Sequence, residues 1–126
     1  MKREWFSKMT LTDVVQHRDF RFAYCTFIDE FKIASNKEEM IKNPPTSNSL
    51  IEHEDLCILV AAIHKLANDY KIKVPEWVFE SKYKMPNPVF VLHTEDKEYQ
   101  AMLIKGTPAE FASKNLFLGP RVASRI

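Results

Sequence analysis

The chain reads as a small all-α, multi-helix domain with a long central helix and an irregular proline- and aromatic-rich segment. Three observations carry that expectation. Apolar residues recur at helical spacing over two long stretches, prolines crowd residues 74–90, and only two glycines (Gly106 and Gly119) occur in 126 residues. So few glycines argue against a turn-rich β-protein and against a glycine-built phosphate loop. The length predicts one domain over residues 1–126. A chain of this size buries roughly two thirds of its unfolded surface, enough for a core without metal or disulfide staples.

A first helix is expected over residues 12–34. Thr10 or Thr12 can cap it, and Asp13 suits the positive end of the helix dipole. Phe20, Tyr24, Phe27 and Phe31 recur at spacings of four, three and four, which places them on one stripe. "SNKEEMIKNPP" offers a capping box, Asn36 with Glu39, and a short helix stopped by Pro44 and Pro45. The central helix is expected at about residues 50–70. Ser49 and Glu52 form its capping box, and Leu56, Leu59, Val60, Ile63, Leu66, Ala67 and Tyr70 keep an apolar stripe for about four turns.

Pro75, Pro86 and Pro88 forbid a continuous helix beyond residue 73. Strand character is confined to "VFVLH", residues 89–93, too little to predict a sheet. Thr94 then opens a helix that Gly106 closes. Thr107, Pro108 and Glu110 open another, which Asn115 can end in a left-handed conformation. "GPRVASRI" can add a last half-turn.

Composition removes several classes of function. A net charge of +1 gives no global attraction to nucleic acid or anionic membrane. No apolar run approaches the ~20 residues of a transmembrane helix. "MKREWFSKMT" lacks an apolar core, so no signal peptide is expected at the start. Cys25 and Cys57 fall within helical patterns and read as reduced, packed thiols, as in a cytoplasmic protein.

The titratable residues assemble no evident catalytic group. His53 and Cys57 form H-E-x-x-C, but two ligands do not hold a metal, and His64 lies about 16 Å along the helix from His53. Cys25 sits mid-helix among aromatics, a poor setting for a thiolate nucleophile. No catalytic residue, metal or cofactor is therefore assigned. From residue 105 onward, Lys105, Lys114, Arg121 and Arg125 face only Glu110. Arg121 and Arg125, with Lys114 and Asn115, are candidates for a polar contact surface, although no helix has the outer face of a DNA-recognition helix. Asp29 is a candidate for contact with a partner's basic groups.

Trp77, Phe79, Tyr83 and Phe90 follow neither strand nor helix periodicity. Large aromatics on irregular backbone usually pack against neighbouring helices; a partly exposed subset would instead form a ligand or peptide groove. Trp77, held by Pro75, is expected in the core. Tyr83, flanked by Lys82 and Lys84, and Phe90, on an arm set by Pro86 and Pro88, are expected nearer the surface. The three remain candidate binding residues.

"FIDEFKIA" (27–34), "NPPTSN" (43–48), "KIKVPEWVF" (71–79) and "TPAEFASKNLFLGPRVASRI" (107–126) carry a resemblance to a family of small bacterial helical proteins of uncharacterised function. The resemblance runs almost end to end. In relatives an F-x-D-E-F helix precedes a Pro-Pro loop, and a long helix leads into a V-P-x-W turn. The end resembles S-P-x-x-F-x-x-R-N-I-F-V…L-S-R. Ser113-Lys114-Asn115 replaces a more basic form there, which weakens a phosphate-binding role. Some relatives are joined to helix-turn-helix domains or resemble toxin–antitoxin components. The resemblance implies a cytoplasmic, non-catalytic protein-interaction or regulatory module with a protein partner. A DNA-associated regulator and a small-molecule-binding protein or enzyme are the alternatives. It also implies that the V-P-x-W turn and the C-terminal region form one linked unit, with Arg125 capping or forming a salt bridge.

Overall fold

A computed structural model describes residues 4–46, 51–90 and 95–117, and over these the protein is mostly helical, as expected. The elements in chain order are α1 (Leu11–Gln16), α2 (Phe20–Ile33), α3 (Lys37–Ile41), α4 (His53–Asp69), β1 (Val89–Phe90), α5 (Lys97–Gly106), α6 (Ala109–Ala112) and β2 (Leu116–Phe117). Two 3-10 turns, Glu76–Phe79 and Ser81–Tyr83, lie between α4 and β1.

The expected first helix is two helices. Thr10 starts α1 with a capping box, accepting from the Asp13 N–H at 3.1 Å while the Asp13 carboxylate accepts from the Thr10 N–H at 2.9 Å. The chain then breaks at His17–Asp19, because Asp19 accepts from the Phe22 N–H and starts α2 afresh. A short acidic side chain competing for backbone donors is a strong helix-start signal wherever it falls. On α2, Phe27 and Phe31 are fully buried with Ala23 and Ile28, while Phe20 and Tyr24 are half-buried at the core's edge.

The Asn36–Glu39 capping box does not form. Asn36 precedes α3, but its amide makes a two-way clamp with Ser7, donating to the Ser7 carbonyl and accepting from its N–H, each at 2.9 Å. Buried Ser7 donates in turn to Glu30 at 2.8 Å. This polar knot ties the N-terminal segment to the α2–α3 corner.

Helix α4 runs through the molecule's centre, with Leu56, Leu59, Val60, Ile63, Leu66 and Ala67 packed in the main core. Its N-cap is Glu52, which makes no side-chain cap bond; Ser49, expected to share that box, lies outside the described residues. Lys71, at φ 57°, closes the other end in the left-handed region. The Ile72 N–H reaches the Ala67 carbonyl at 2.9 Å and the Lys71 N–H reaches Asn68 at 3.2 Å, a Schellman closure with lysine where glycine is usual.

The strand expected from residue 89 is described at Val89–Phe90, and it pairs in parallel with Leu116–Phe117. That partner strand was not evident in the sequence; residues 91–93 lie outside the described part. Asp96 caps α5, whereas Thr94 lies outside the described residues, and Gly106 is the last helical residue rather than the cap. Pro108, not Thr107, is the N-cap of α6.

Candidate functional site

The proline- and aromatic-rich segment is mostly internal. Pro75 leads into a 3-10 turn that drives Trp77 inward, and its indole N–H donates to the Ile41 carbonyl at 3.1 Å. Trp77 is 9% exposed, which matches the expected core anchor. Tyr83 is a correction: it is 2% exposed, not at the surface. The second 3-10 turn points its ring at Trp77, edge-on at 5.7 Å, and Lys82 lies over the ring's outer side while pairing with Glu80 at 3.1 Å. The flanking lysine thus lids the ring instead of drawing it into water. Phe79, on the same segment, is the exposed aromatic, edge-on to His64 at 5.1 Å. Phe90 is half-buried and stacks on Phe117 at 5.4 Å.

Lys114 and Asn115 lock this segment to the C-terminal part. The Lys114 ammonium, 5% exposed, donates to the Val78 carbonyl at 2.8 Å. Its own carbonyl accepts from the Met85 N–H at 3.1 Å. Asn115 takes the expected left-handed conformation, φ 62°, and donates from Nδ2 to the Met85 carbonyl at 2.7 Å while its carbonyl accepts from the Val89 N–H. Val78, next to the V-P-x-W turn, and Met85 are therefore tied to the segment after α6, while the expected part played by Arg125 lies outside the described residues. Lys114 does not present its charge to a partner, because the fold has turned it inward. Arg121 and Arg125 lie outside the described residues, and Asp29 is exposed on α2.

The Lys114 charge is in an unfavourable place. Burial pushes its pKa below the ordinary lysine value, only partly opposed by nearby Cys57. Burial likewise pushes the Cys57 thiol up to about 11, against the pull of Lys114. Cys57 is fully buried with its sulfur 3.5 Å from His53 Nε2. A protonated, enclosed thiol of this kind is not a nucleophile. Among the described residues, no group of three His, Cys, Asp or Glu is placed to hold a metal ion. His64 has a buried Nδ1 with no hydrogen-bond partner among the described residues, and burial lowers its pKa, which favours the neutral ring.

The accessible concavity lies on the other side of Trp77. An open groove of about 1660 Å³ runs between the α2–α3 corner and the Ile72–Trp77 stretch. Ile33, the last residue of α2, lines it with 70% of its surface exposed. Ile72, Pro75 and Trp77 continue the apolar strip; Glu38, Glu39, Glu76 and Lys42 are on its rim. None of these residues except Trp77 was a candidate from the sequence. The missed signal was Ile33 itself, an aliphatic residue on the last turn of α2 off the Phe27–Phe31 stripe. A smaller recess of about 630 Å³ lies between Phe6, Lys8, Met40 and Pro44.

No protein-family model, curated protein or solved structure matches the chain. No helix of the described residues is long and apolar enough to cross a membrane.

Proposed function

We propose that the protein is a non-catalytic interaction module, regulatory in role, that holds a protein partner in the groove between the α2–α3 corner and Ile72–Trp77. The observation that carries this reading is Ile33, an aliphatic side chain 70% exposed within a groove of about 1660 Å³. Covering such a side chain is favourable by about 1.5–3 kcal/mol at full burial. Small-molecule sites are typically enclosed and about 300–1,000 Å³, so an open groove this large suits a protein segment better than a metabolite. The burial of Cys57 and Lys114 also favours binding over catalysis, because both reactive groups are closed to substrate. The resemblance to a family with toxin–antitoxin-like members points the same way, and two free thiols suit a cytoplasmic setting. A DNA-associated role loses one of its three candidate cations, since Lys114 is internal.

Affinity capture from native lysate tests the reading, using the wild type and Ile33→Asp in parallel and identifying both protein and nucleic acid. A protein retained by the wild type and lost by a normally folded Ile33→Asp chain is the expected result. Retention of nucleic acid or a small molecule alone would overturn it.

A further inference from the structure

The groove's charge is distributed unevenly, and the imbalance bears on what fits it. Glu4, Glu38, Glu39 and Glu76 line it, all exposed, and none forms an ion pair among the described residues. The opposing lysines are Lys37, Lys42 and Lys73. Lys37 is turned inward: its ammonium donates to the Ala34 carbonyl at 2.6 Å and lies 5.1 Å over the Tyr70 ring. Four exposed carboxylates thus face three ammoniums, one of them engaged by the Ala34 carbonyl, in a chain whose overall charge is +1.

We propose that the occupant of this groove is a basic peptide segment of a partner protein with one aliphatic or aromatic anchor; the proposal rests on the docking role assigned to the groove above. The anchor covers Ile33 along the strip made with Ile72 and Pro75. Flanking arginines or lysines reach Glu38 and Glu39 on one wall and Glu76 on the other. Arginine suits these positions best, since its planar fork bonds a carboxylate through two N–H groups. Trp77, held from behind by its bond to Ile41, forms a rigid floor and gives the anchor a preformed surface.

The test is a phage-displayed library of random dodecamer peptides panned on the full chain, followed by fluorescence anisotropy on the enriched sequences. Enrichment of Arg- or Lys-flanked apolar cores is expected. Their affinity should fall by about tenfold or more in the triple variant Glu38→Lys/Glu39→Lys/Glu76→Lys. It should also weaken as salt shortens the screening length from about 10 Å at 0.1 M to about 3 Å at 1 M. Lys73→Glu, which adds to the imbalance, should tighten binding. Circular dichroism on each variant confirms that these exposed substitutions leave the fold intact. Acidic or uncharged peptides whose binding is lost with Ile33→Ser would overturn the basic occupant and leave the docking role standing. Enriched peptides insensitive to both Ile33→Ser and the triple variant would overturn both, as would the absence of any enrichment.

Discussion

The joint at Lys114–Asn115 and the groove beside Ile33 are made from the same kinds of residue and treat them in opposite ways. In the joint, a lysine and two aromatics are sealed inside, and three polar groups are each given a backbone partner: Lys114 on the Val78 carbonyl, Trp77 on the Ile41 carbonyl, Asn115 on the Met85 carbonyl. In the groove, lysines, glutamates and an isoleucine are left in water. Burial of a charged or polar group is tolerated where the backbone supplies a partner, and costs several kcal/mol where it does not. Chain composition is therefore a poor guide to which aromatic or lysine is available for binding. The location of free backbone carbonyls is a better one.

If the joint is closed as described, truncating its rings is the largest effect expected. Trp77→Ala and Tyr83→Ala should each cost about 3–5 kcal/mol, and Phe27→Ala in the main core about the same. Urea denaturation with an unchanged m-value reads this directly. A Tyr83→Ala loss below about 1 kcal/mol would place that ring at the surface and remove the contrast between the two regions.

Alkaline titration separates the joint's ionisable groups. Because the folded chain keeps the Cys57 proton up to about 11 while the unfolded chain releases it near 9.0, stability from this site is complete below pH 9. It is lost as pH rises through about 11, a fall of about 3 kcal/mol. Burial raises Tyr83 as well, which adds to the fall above its ordinary 10.0. Lys114 acts oppositely. Its folded-state pKa lies below 10.5, so the unfolded chain binds the extra proton and stability rises with pH toward 10.5. Thermal melts across pH 8–11 should show a shallower fall for Cys57→Ala and a steeper one for Lys114→Met.

Two non-glycine residues with positive φ among the described residues sharpen the comparison further. Asn115 holds its left-handed conformation with a side-chain bond to Met85, whereas Lys71, which leads from α4 toward the groove, makes no such side-chain bond among the described residues. Lys71→Gly should therefore stabilise the chain by up to about 1 kcal/mol, while Asn115→Gly should destabilise it through loss of that bond. Equal effects at the two sites would mean that the asparagine bond contributes nothing.

Much of this frame was legible in the chain. Phe27 and Phe31 in the core, the apolar face of α4, Trp77 as an anchor behind Pro75 and the left-handed Asn115 all follow from local spacing or local chemistry. What could not be read depends on partners distant in sequence. Lys114 looks like a surface cation until the Val78 carbonyl, 36 residues away, is placed beside it. Tyr83 looks solvated because Lys82 and Lys84 flank it, yet a 3-10 turn reverses which side faces out. Asn36 has the pattern of a capping box but is drawn off by Ser7, 29 residues back. The groove is concave only because α2, α3 and the Ile72–Trp77 stretch meet, and no one of them carries its signature.

The smallest expected effect on stability is the most informative about the groove. Ile33 projects from the last turn of α2 with 70% of its surface in water, so the folded state gains little from it. Ile33→Ser should change the unfolding free energy by no more than about 0.5 kcal/mol, as for other surface substitutions. An isoleucine kept for packing would behave like Ile28, which is fully buried on the same helix and should cost about 2–5 kcal/mol on truncation to alanine. Urea midpoints of Ile33→Ser and Ile28→Ala, measured together, give the contrast on one scale. Near-neutral stability for Ile33→Ser, combined with loss of peptide or partner binding, would mean that the residue acts only when something covers it. A loss approaching that of Ile28→Ala would mean that the fold already covers it and that the groove is closed in solution.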